Sequence, residues 1–447
     1  MDKATIEKME KQAKYSPRHL HEIEDYRDTW RIFRIMAELV EGYNFLAKLD
    51  NEVTLLGSAR FKEDHKYYQL ARDIGALLAK QGFTVMTGGG PGIMEAGNRG
   101  AFEAKGKSVG INIQLPFEQR VNPYVKSSTA FYYFFTRKVM LTSPANAFFF
   151  FPGGFGTLDE FFEVVDNIDL GMMTQSPVVL VGSDFWNPIL EFLRGQCATH
   201  NTIDLAVLDS WQVVDNPQKA VDLVKDVKNI SLDCELSPLN FQSDDKIDWK
   251  IFRVMAELVE GFEFVSDIGH AVTVLGTRGI TADSPYYQQA YDLGRALAES
   301  EFSVVTGGKF GVAEAANKGA FEAGGVSIGI GMNVGKSREI NAFLTKQIMF
   351  DFPFTRKLII TAPTDAFIFF PGGLGTLHHL FEVLTLIQTK KMKKIPVILV
   401  DHAFWLPMHQ FIKETLVHDV ETISDEDDEL YHIVDNVEGA MKIIAEI

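Results

Sequence analysis

Cysteine is nearly absent from this 447-residue chain, which has only 2, Cys197 and Cys234. That is too few for a disulfide framework or a cysteine metal knuckle. Basic residues are also scarce: Lys and Arg total 43 against 60 Asp and Glu, for a formal charge of −17. A duplex nucleic-acid binder needs a basic stripe to displace counterions from phosphates, so nucleic acid is not an expected partner. Part of the acid excess is local, in SDEDDE at Ser424–Glu429, which reads as a solvated turn more than as an interaction tail. Long hydrophobic runs are missing as well. FYYFF at Phe131–Phe135 and AFFFF at Ala147–Phe151 fall far short of the roughly 20 residues that span a bilayer, so no membrane partner is expected. No charged-then-apolar leader precedes the first apolar helix, and the expected location is the cytoplasm. The histidines show no tight ligand spacing, so no metal is expected.

What the chain does have is a core-forming composition, 46% hydrophobic and 23% charged, and it has it twice. WRIFRIMAELVEGYNF at Trp30–Phe45 returns as WKIFRVMAELVEGFEF at Trp249–Phe264, an offset of 219 residues. The offset persists through Gly57 and Gly276, Thr87 and Thr306, Glu95 and Glu314, Arg137 and Arg356, and Pro152 and Pro371. It slips by one residue only late, where VDN at Val214–Asn216 matches Val434–Asn436. Two units of ordinary domain size follow. The expected division is a polar helical arm over 1–25, a first domain over 26–229, a linker rich in Ser, Asp, Asn and Pro over 230–246, and a second domain over 247–447.

Each unit alternates short β-branched or aromatic runs with helical patterns. In the first, strands are expected at Val53–Gly57, Phe83–Gly89, Ser108–Ile113, Asn146–Phe151 and Pro177–Val181, and helices at Tyr67–Lys80, Ile93–Lys105 and Thr157–Leu170. This alternation predicts an α/β fold with two parallel sheets in tandem, helices on both faces of each and ligands at the carboxyl ends of the strands. The apolar helix opening each copy, with Ile32, Phe33, Met36, Leu39, Val40 and Tyr43 on one broad face, either covers its own domain or joins the two halves.

Three stretches of the first copy converge on those strand ends. Gly57, Ser58 and Arg60 belong to GSAR, where small residues let the backbone approach a ligand and the guanidinium can pair with an anion. TGGGPGIMEA supplies Gly88, Gly89, Gly90 and Gly92 ahead of a helix that carries Glu95, the geometry in which backbone N–H groups cradle phosphate. PGGFGTLDE supplies Gly153, Gly154, Gly156, Thr157 and Glu160. Neither glycine turn fits a strand-anchored G-x-G-x-x-G or ends in G-K-[ST]. Glu160 has two readings, a capping-box partner of Thr157 or a carboxylate aimed into the crevice. Arg137 and Lys138, on an aromatic-rich helical stretch, are either a solvated basic pair or a grip on phosphate within a cleft.

GGGPGIMEAGNRGA at Gly88–Ala101, LPFEQRVNPY at Leu115–Tyr124, FTRKVM at Phe135–Met140 and PGGFGTLDE together resemble the phosphoribohydrolase family called Lonely Guy, long mislabelled as lysine decarboxylases. The longer LPFEQRVNPY form resembles the subgroup that includes bacterial nucleotide 5'-monophosphate nucleosidases. The likeness covers most of residues 50–190 and, more weakly, 269–409. It implies a Rossmann-like fold and hydrolysis of the N-glycosidic bond of a nucleoside 5'-monophosphate to free base and ribose 5-phosphate. By that likeness Arg137 and Glu160 are the catalytic pair, and Gly88–Gly92 and Gly153–Thr157 hold the phosphate. No cofactor is expected, since nothing marks a pyridoxal-phosphate lysine. The base stays open, with the apolar stretch Phe131–Phe135 a candidate stacking wall.

The second copy departs in three places. GGGPG becomes GGKFG at Gly307–Gly311, LPFEQRVNPY becomes the unrelated MNVGKSREIN at Met332–Asn341, and Glu160 becomes His379. His378 and His379 titrate near neutrality in principle, but a cation there opposes a developing oxocarbenium. The resemblance implies pairing of domains with pockets near their interface, so the halves are expected to form a pseudo-dimer within one chain, with the second structural or regulatory. Further pairing of chains stays open. The competing class is a non-catalytic carrier or sensor of a nucleotide or of a molybdenum-cofactor-like ligand.

Overall fold

The computed structural model describes residues 30–114, 121–227, 247–334 and 339–447. The expected arm over 1–25, the linker over 230–246 and most of the LPFEQRVNPY stretch lie outside the described residues.

The first half contributes strands β1 (Glu52–Leu56), β2 (Thr84–Thr87), β3 (Lys107–Ile113), β4 (Ser127–Phe131), β5 (Ala145–Phe150), β6 (Val178–Val181) and β7 (Gln212–Val214). The second contributes β8 (Ala271–Leu275), β9 (Ser303–Thr306), β10 (Ser327–Met332), β11 (Lys346–Phe350), β12 (Thr364–Phe369), β13 (Val397–Val400) and β14 (His432–Val434). They form two 7-stranded sheets in the orders β4-β3-β2-β1-β5-β6-β7 and β11-β10-β9-β8-β12-β13-β14, and the pairings are parallel throughout. The tandem α/β architecture is therefore present. β5 and β6 are buried along their whole length, which is why they read as unbroken apolar runs: a parallel strand with helices on both faces has no solvent side.

The helices of the first half are α1 (Trp30–Leu46), α2 (Lys66–Lys80), α3 (Ile93–Glu103), α4 (Phe134–Thr142), α5 (Phe155–Asp169), α6 (Ser183–Phe192), α7 (Leu205–Asp209) and α8 (Pro217–Asp222). Those of the second are α9 (Ile247–Val265), α10 (Pro285–Glu299), α11 (Val312–Glu322), α12 (Pro353–Thr361), α13 (Leu374–Gln388), α14 (His402–Gln410) and α15 (Val437–Ile444). In the first half α2, α3 and α8 cover the outer sheet face around Leu55, Val85 and Phe149. The inner faces of the two sheets share their covering. Phe148, Phe150 and α5 lie in one buried cluster with Phe367, Phe369 and α13. The rings of Phe162 and Phe381 stack across that seam at 5.3 Å with planes 3° apart, a contact worth about 0.5–1.5 kcal/mol beyond the area it buries.

The opening helix joins the halves. Ile35, Leu39, Tyr43 and Leu46 are buried with Ile251, Leu258 and Phe262 of α9. The apolar face expected from the sequence is rotated: Phe33 is 53% and Val40 40% exposed, whereas Ile35 is 1% exposed. The one-residue slip between the repeats falls between β13 and β14, a stretch that contains the π-helical turn Phe411–Asp419, longer than its counterpart Leu193–Ala198. An inserted residue commonly appears as such a widened turn.

Candidate functional site

The strand order of the first sheet reverses at β1, so the crevice lies beyond the carboxyl ends of β1 and β5, where open α/β sheets bind ligands. Gly57–Arg60 leaves β1, Gly88–Gly92 leaves β2 and Pro152–Thr157 leaves β5. The loops are tied by backbone bonds: Ser58 N donates to Pro152 O at 3.0 Å, and Ile93 N donates to Ser58 O at 2.9 Å. Gly92 has φ of 67° and ψ of −129°, and a side chain there would collide with the Ser58 carbonyl. Only glycine permits this approach.

Two asparagines that sequence reasoning passed over hold the second loop. Asn122 is 6% exposed, and its amide donates to the carbonyls of Gly89 at 3.2 Å and Gly90 at 3.0 Å and to Asn98 Oδ1 at 2.9 Å. In the second half Asn341 donates likewise to Gly308 and Lys309 at 3.1 Å and to Asn317 Oδ1 at 3.0 Å. The stretch read as unrelated, Met332–Asn341, therefore keeps the one residue that shapes the turn. The signal was present in the 219-residue offset, which pairs Asn98 with Asn317 and Asn122 with Asn341.

Arg137 comes from α4 and Glu160 from α5. Arg137 Nε donates to Ile111 O at 3.0 Å, and Nη1 donates to Glu160 Oε1 at 3.1 Å. The guanidinium lies against Gly88, where a Cβ would collide with Nη2. The two side chains are only 10% and 14% exposed. Burial pushes the Glu160 carboxyl above its ordinary value, with Arg137 and then Lys138 opposing the shift. The capping reading does not hold. α5 begins at Phe155 behind Gly154 with no side-chain cap, so Glu160 lies a turn too far along, and the Thr157 hydroxyl packs on Gly153 instead.

Lys138 takes the opposite course from its neighbour. Its ammonium sits 2.7 Å from Asp159, 3.2 Å from Glu163 and 3.7 Å from Glu382 of the second half, at 4% exposure. These carboxylates hold it protonated against burial. It is thereby removed from the phosphate-binding set expected for it and is equally unsuited to form a Schiff base. Asp159, Glu163 and His378 bring one ligand atom each within 4.8 Å of one another, and Lys138 already supplies the cation against two of them. Glu95 accepts a hydrogen bond from Tyr68 Oη at 3.0 Å. Phe131, Tyr133 and Phe135 are buried in the shared core, and Phe135 stacks on Phe354 at 5.9 Å, so these rings do not form a stacking wall for a base.

The second half reaches into the first crevice. Thr422 Oγ1 donates to Gly153 O at 3.2 Å. Arg60 donates to Glu421 O at 3.4 Å and to Ser424 Oγ at 3.2 Å. The pseudo-symmetric segment of the first half, Thr202 and Ile203, lies on Gly373. The halves thus form an intrachain pseudo-dimer in which each partner covers the other's glycine turn.

In the second crevice Arg356 keeps its bond to the β10 backbone, Nε to Ile330 O at 2.8 Å, but His379 stands where Glu160 does. His379 is 2% exposed, and burial pushes it down to about 3. His378, 3.3 Å from Asp166 of the first half, is likewise driven well below its ordinary value by burial. Both rings are held neutral at physiological pH.

The fold and site define an α/β protein with paired glycine turns beside a buried carboxylate. The chain belongs to the family described as "Possible lysine decarboxylase", whose model matches residues 94–224 and again 313–444. It is similar to the cytokinin riboside 5'-monophosphate phosphoribohydrolase of Rhodococcoides fascians, 29% identical over 136 residues, 30% of this chain and 68% of that protein. It is similar to the protein of the same name from Mycobacterium marinum, 30% identical over 161 residues, 34% of this chain and 82% of that one. Among solved structures, the molybdenum cofactor binding protein of the phototrophic bacterium Rippkaea orientalis aligns with a TM-score of 0.31 at 24% identity, covering 40% of this chain and 94% of that chain. No helix among the described residues is long and apolar enough to cross a membrane.

Proposed function

We propose that the first half hydrolyses the N-glycosidic bond of a nucleoside 5'-monophosphate, releasing free base and ribose 5-phosphate. The observation that carries this reading is the Arg137–Glu160 pair, 3.1 Å apart and nearly buried between two glycine turns at the sheet's switch point. In the proposed reaction the N–H groups of Gly88–Gly92 and Gly153–Thr157 hold the 5'-phosphate, with Gly57 and Ser58 closing the crevice. The bond from the anomeric carbon to the base breaks, and its electron pair leaves with the base, which takes up a proton. Positive charge builds on the ribose, where an ionised Glu160 stabilises it and steers water to the anomeric carbon. Arg137 favours the ionised form of Glu160 and fixes its orientation. The bound phosphate is remote from the reacting bond, so its binding energy is available to orient that bond.

The phosphoribohydrolase names of the two relatives support a nucleotide substrate at 29% and 30% identity; which base is preferred is a matter for assay. The test is chromatography of the purified chain with a panel of purine and pyrimidine nucleoside 5'-monophosphates, each beside its unphosphorylated nucleoside. Base released from a monophosphate but not from the matching nucleoside is the expected result. Tight retention of a nucleotide without release of base across the panel would replace the hydrolase by a carrier or sensor.

A further inference from the structure

The second crevice is built around the same turn but with different charges. Where the first half has Ala59, Gly90 and Glu160, the second has Arg278, Lys309 and His379, and Arg60 has become Gly279. Arg356, the counterpart of Arg137, keeps its anchor on the Ile330 carbonyl and has no carboxylate at the Glu160 position. Its guanidinium lies on the turn: a Cβ on Gly307 would stand 2.8 Å from Arg356 Nη2. Arg278 meets the same turn from the other end, where a Cβ on Gly311 would be 2.9 Å from the Arg278 Cα. Lys309 is the third residue of that turn.

Three basic residues therefore sit on or beside one five-residue turn that opens a helix, α11. The carboxylates within their electrostatic reach are Asp166, Asp169 and Glu339. Asp166 is occupied at the start of α13, beside Gly375 and His378. Neighbouring like charges disfavour one another's charged forms, and an anion bound among them offsets that cost. Burial pushes Arg356 down to about 10, with Asp166 opposing the shift and Arg278 adding to it, and burial, Arg278 and Arg356 lower Lys309 against the pull of Glu339. A phosphate placed on the turn offsets the repulsion felt by Arg356 and Lys309. It gains the backbone N–H groups at the start of α11 as well, and Arg356 offers it two parallel donors.

We propose that the second half holds a phosphate-monoester site that binds without turnover: the turn Gly307–Gly311, Lys309, Arg278 and Arg356 grip the dianionic phosphate of a small phosphorylated ligand. With His379 neutral where the first half has a carboxylate, no negative charge is available to stabilise a ribosyl cation, so the bound ester persists. The site is separate from the one that carries the proposed hydrolysis, and a binding readout makes its test independent of that reaction.

The experiment is isothermal titration calorimetry of the full chain with ribose 5-phosphate, run beside inorganic phosphate. Two equivalents of ribose 5-phosphate per chain are expected. Lys309→Gly, which restores the first half's residue, and Arg356→Gln should each weaken one equivalent at least tenfold, while Arg137→Gln should weaken the other. Lys309→Gln serves as the second variant at that position if the glycine proves poorly folded by circular dichroism. A single equivalent in the native chain, indifferent to both Lys309 and Arg356 substitutions, would overturn the proposal. If inorganic phosphate bound the Lys309-dependent site as tightly as ribose 5-phosphate did, the monoester assignment would fall and the site would be one for the free anion.

Discussion

Replacing Glu160 by Gln removes one negative charge and little else. The amide keeps an oxygen that can accept from Arg137 Nη1, as the carboxylate does at 3.1 Å, and the side chain keeps its length in a pocket where Glu160 is 14% exposed. A full charge about 4 Å from a ribosyl cation interacts by about 4 kcal/mol at an effective dielectric constant of about 20. At about 1.4 kcal/mol per factor of ten, the loss corresponds to about a thousandfold in kcat. Binding of ribose 5-phosphate, which lacks the developing charge, should change by no more than about threefold. The assay is base release under saturating monophosphate, followed by chromatography, with calorimetry for the product. A variant that retained more than about a third of native kcat would refute the role assigned to the carboxylate, whatever the binding showed.

The pH profile should carry the same signature. Burial raises the Glu160 carboxyl above its ordinary value of 4.5 and Arg137 opposes the rise, so the ionised form is lost as pH falls through a value above 4.5. The acid limb of kcat should therefore lie above the ordinary carboxylate range, and Arg137→Gln should move it higher still; an acid limb at or below 4.5 contradicts this. Lys138→Met leaves Asp159, Glu163 and Glu382 facing one another in a site where the lysine was 4% exposed. Breaking such a buried cluster should cost about 3–5 kcal/mol in denaturant titration at neutral pH. The deficit should shrink as pH falls, because Asp159, pushed up to about 7 by burial even with the lysine in place, protonates and sheds its charge. Gly92→Ala combines a backbone conformation unfavourable to any side chain with a collision at Ser58 O. It should lower the melting temperature and weaken ribose 5-phosphate binding at the Arg137-dependent site, and unchanged values for both would show that the loop is slacker than described.

Much of the architecture was legible because its causes are local. Runs such as Ala147–Phe150 are apolar at every position, as a strand covered on both faces is, and the 219-residue repeat carried the strand and helix assignments from one half to the other. β4 escaped because it is an edge strand whose residues Ser127, Ser128 and Ala130 are exposed, leaving no apolar pattern. The start of α5 was misplaced because a glycine at the N-cap gives no side-chain signal. Arg137 and Lys138 were read together as a basic pair. Consecutive helical residues point about 100° apart, so one faces the glycine turn while the other enters the carboxylate cluster between the halves. Thr422 and Ser424 could not have been found from the first copy at all. They arrive from the other half, and SDEDDE, read chiefly as a solvated turn, begins with the serine that receives Arg60.

The most direct test of the account is to identify and quantify both products made by the native chain from its best monophosphate, by chromatography with mass detection. Hydrolysis at the anomeric carbon predicts free base and ribose 5-phosphate in equal amounts, with no phosphate consumed and none released. Base appearing with a ribose bisphosphate, inorganic phosphate appearing with intact nucleoside, or a nucleotide recovered unchanged from the protein would each contradict it.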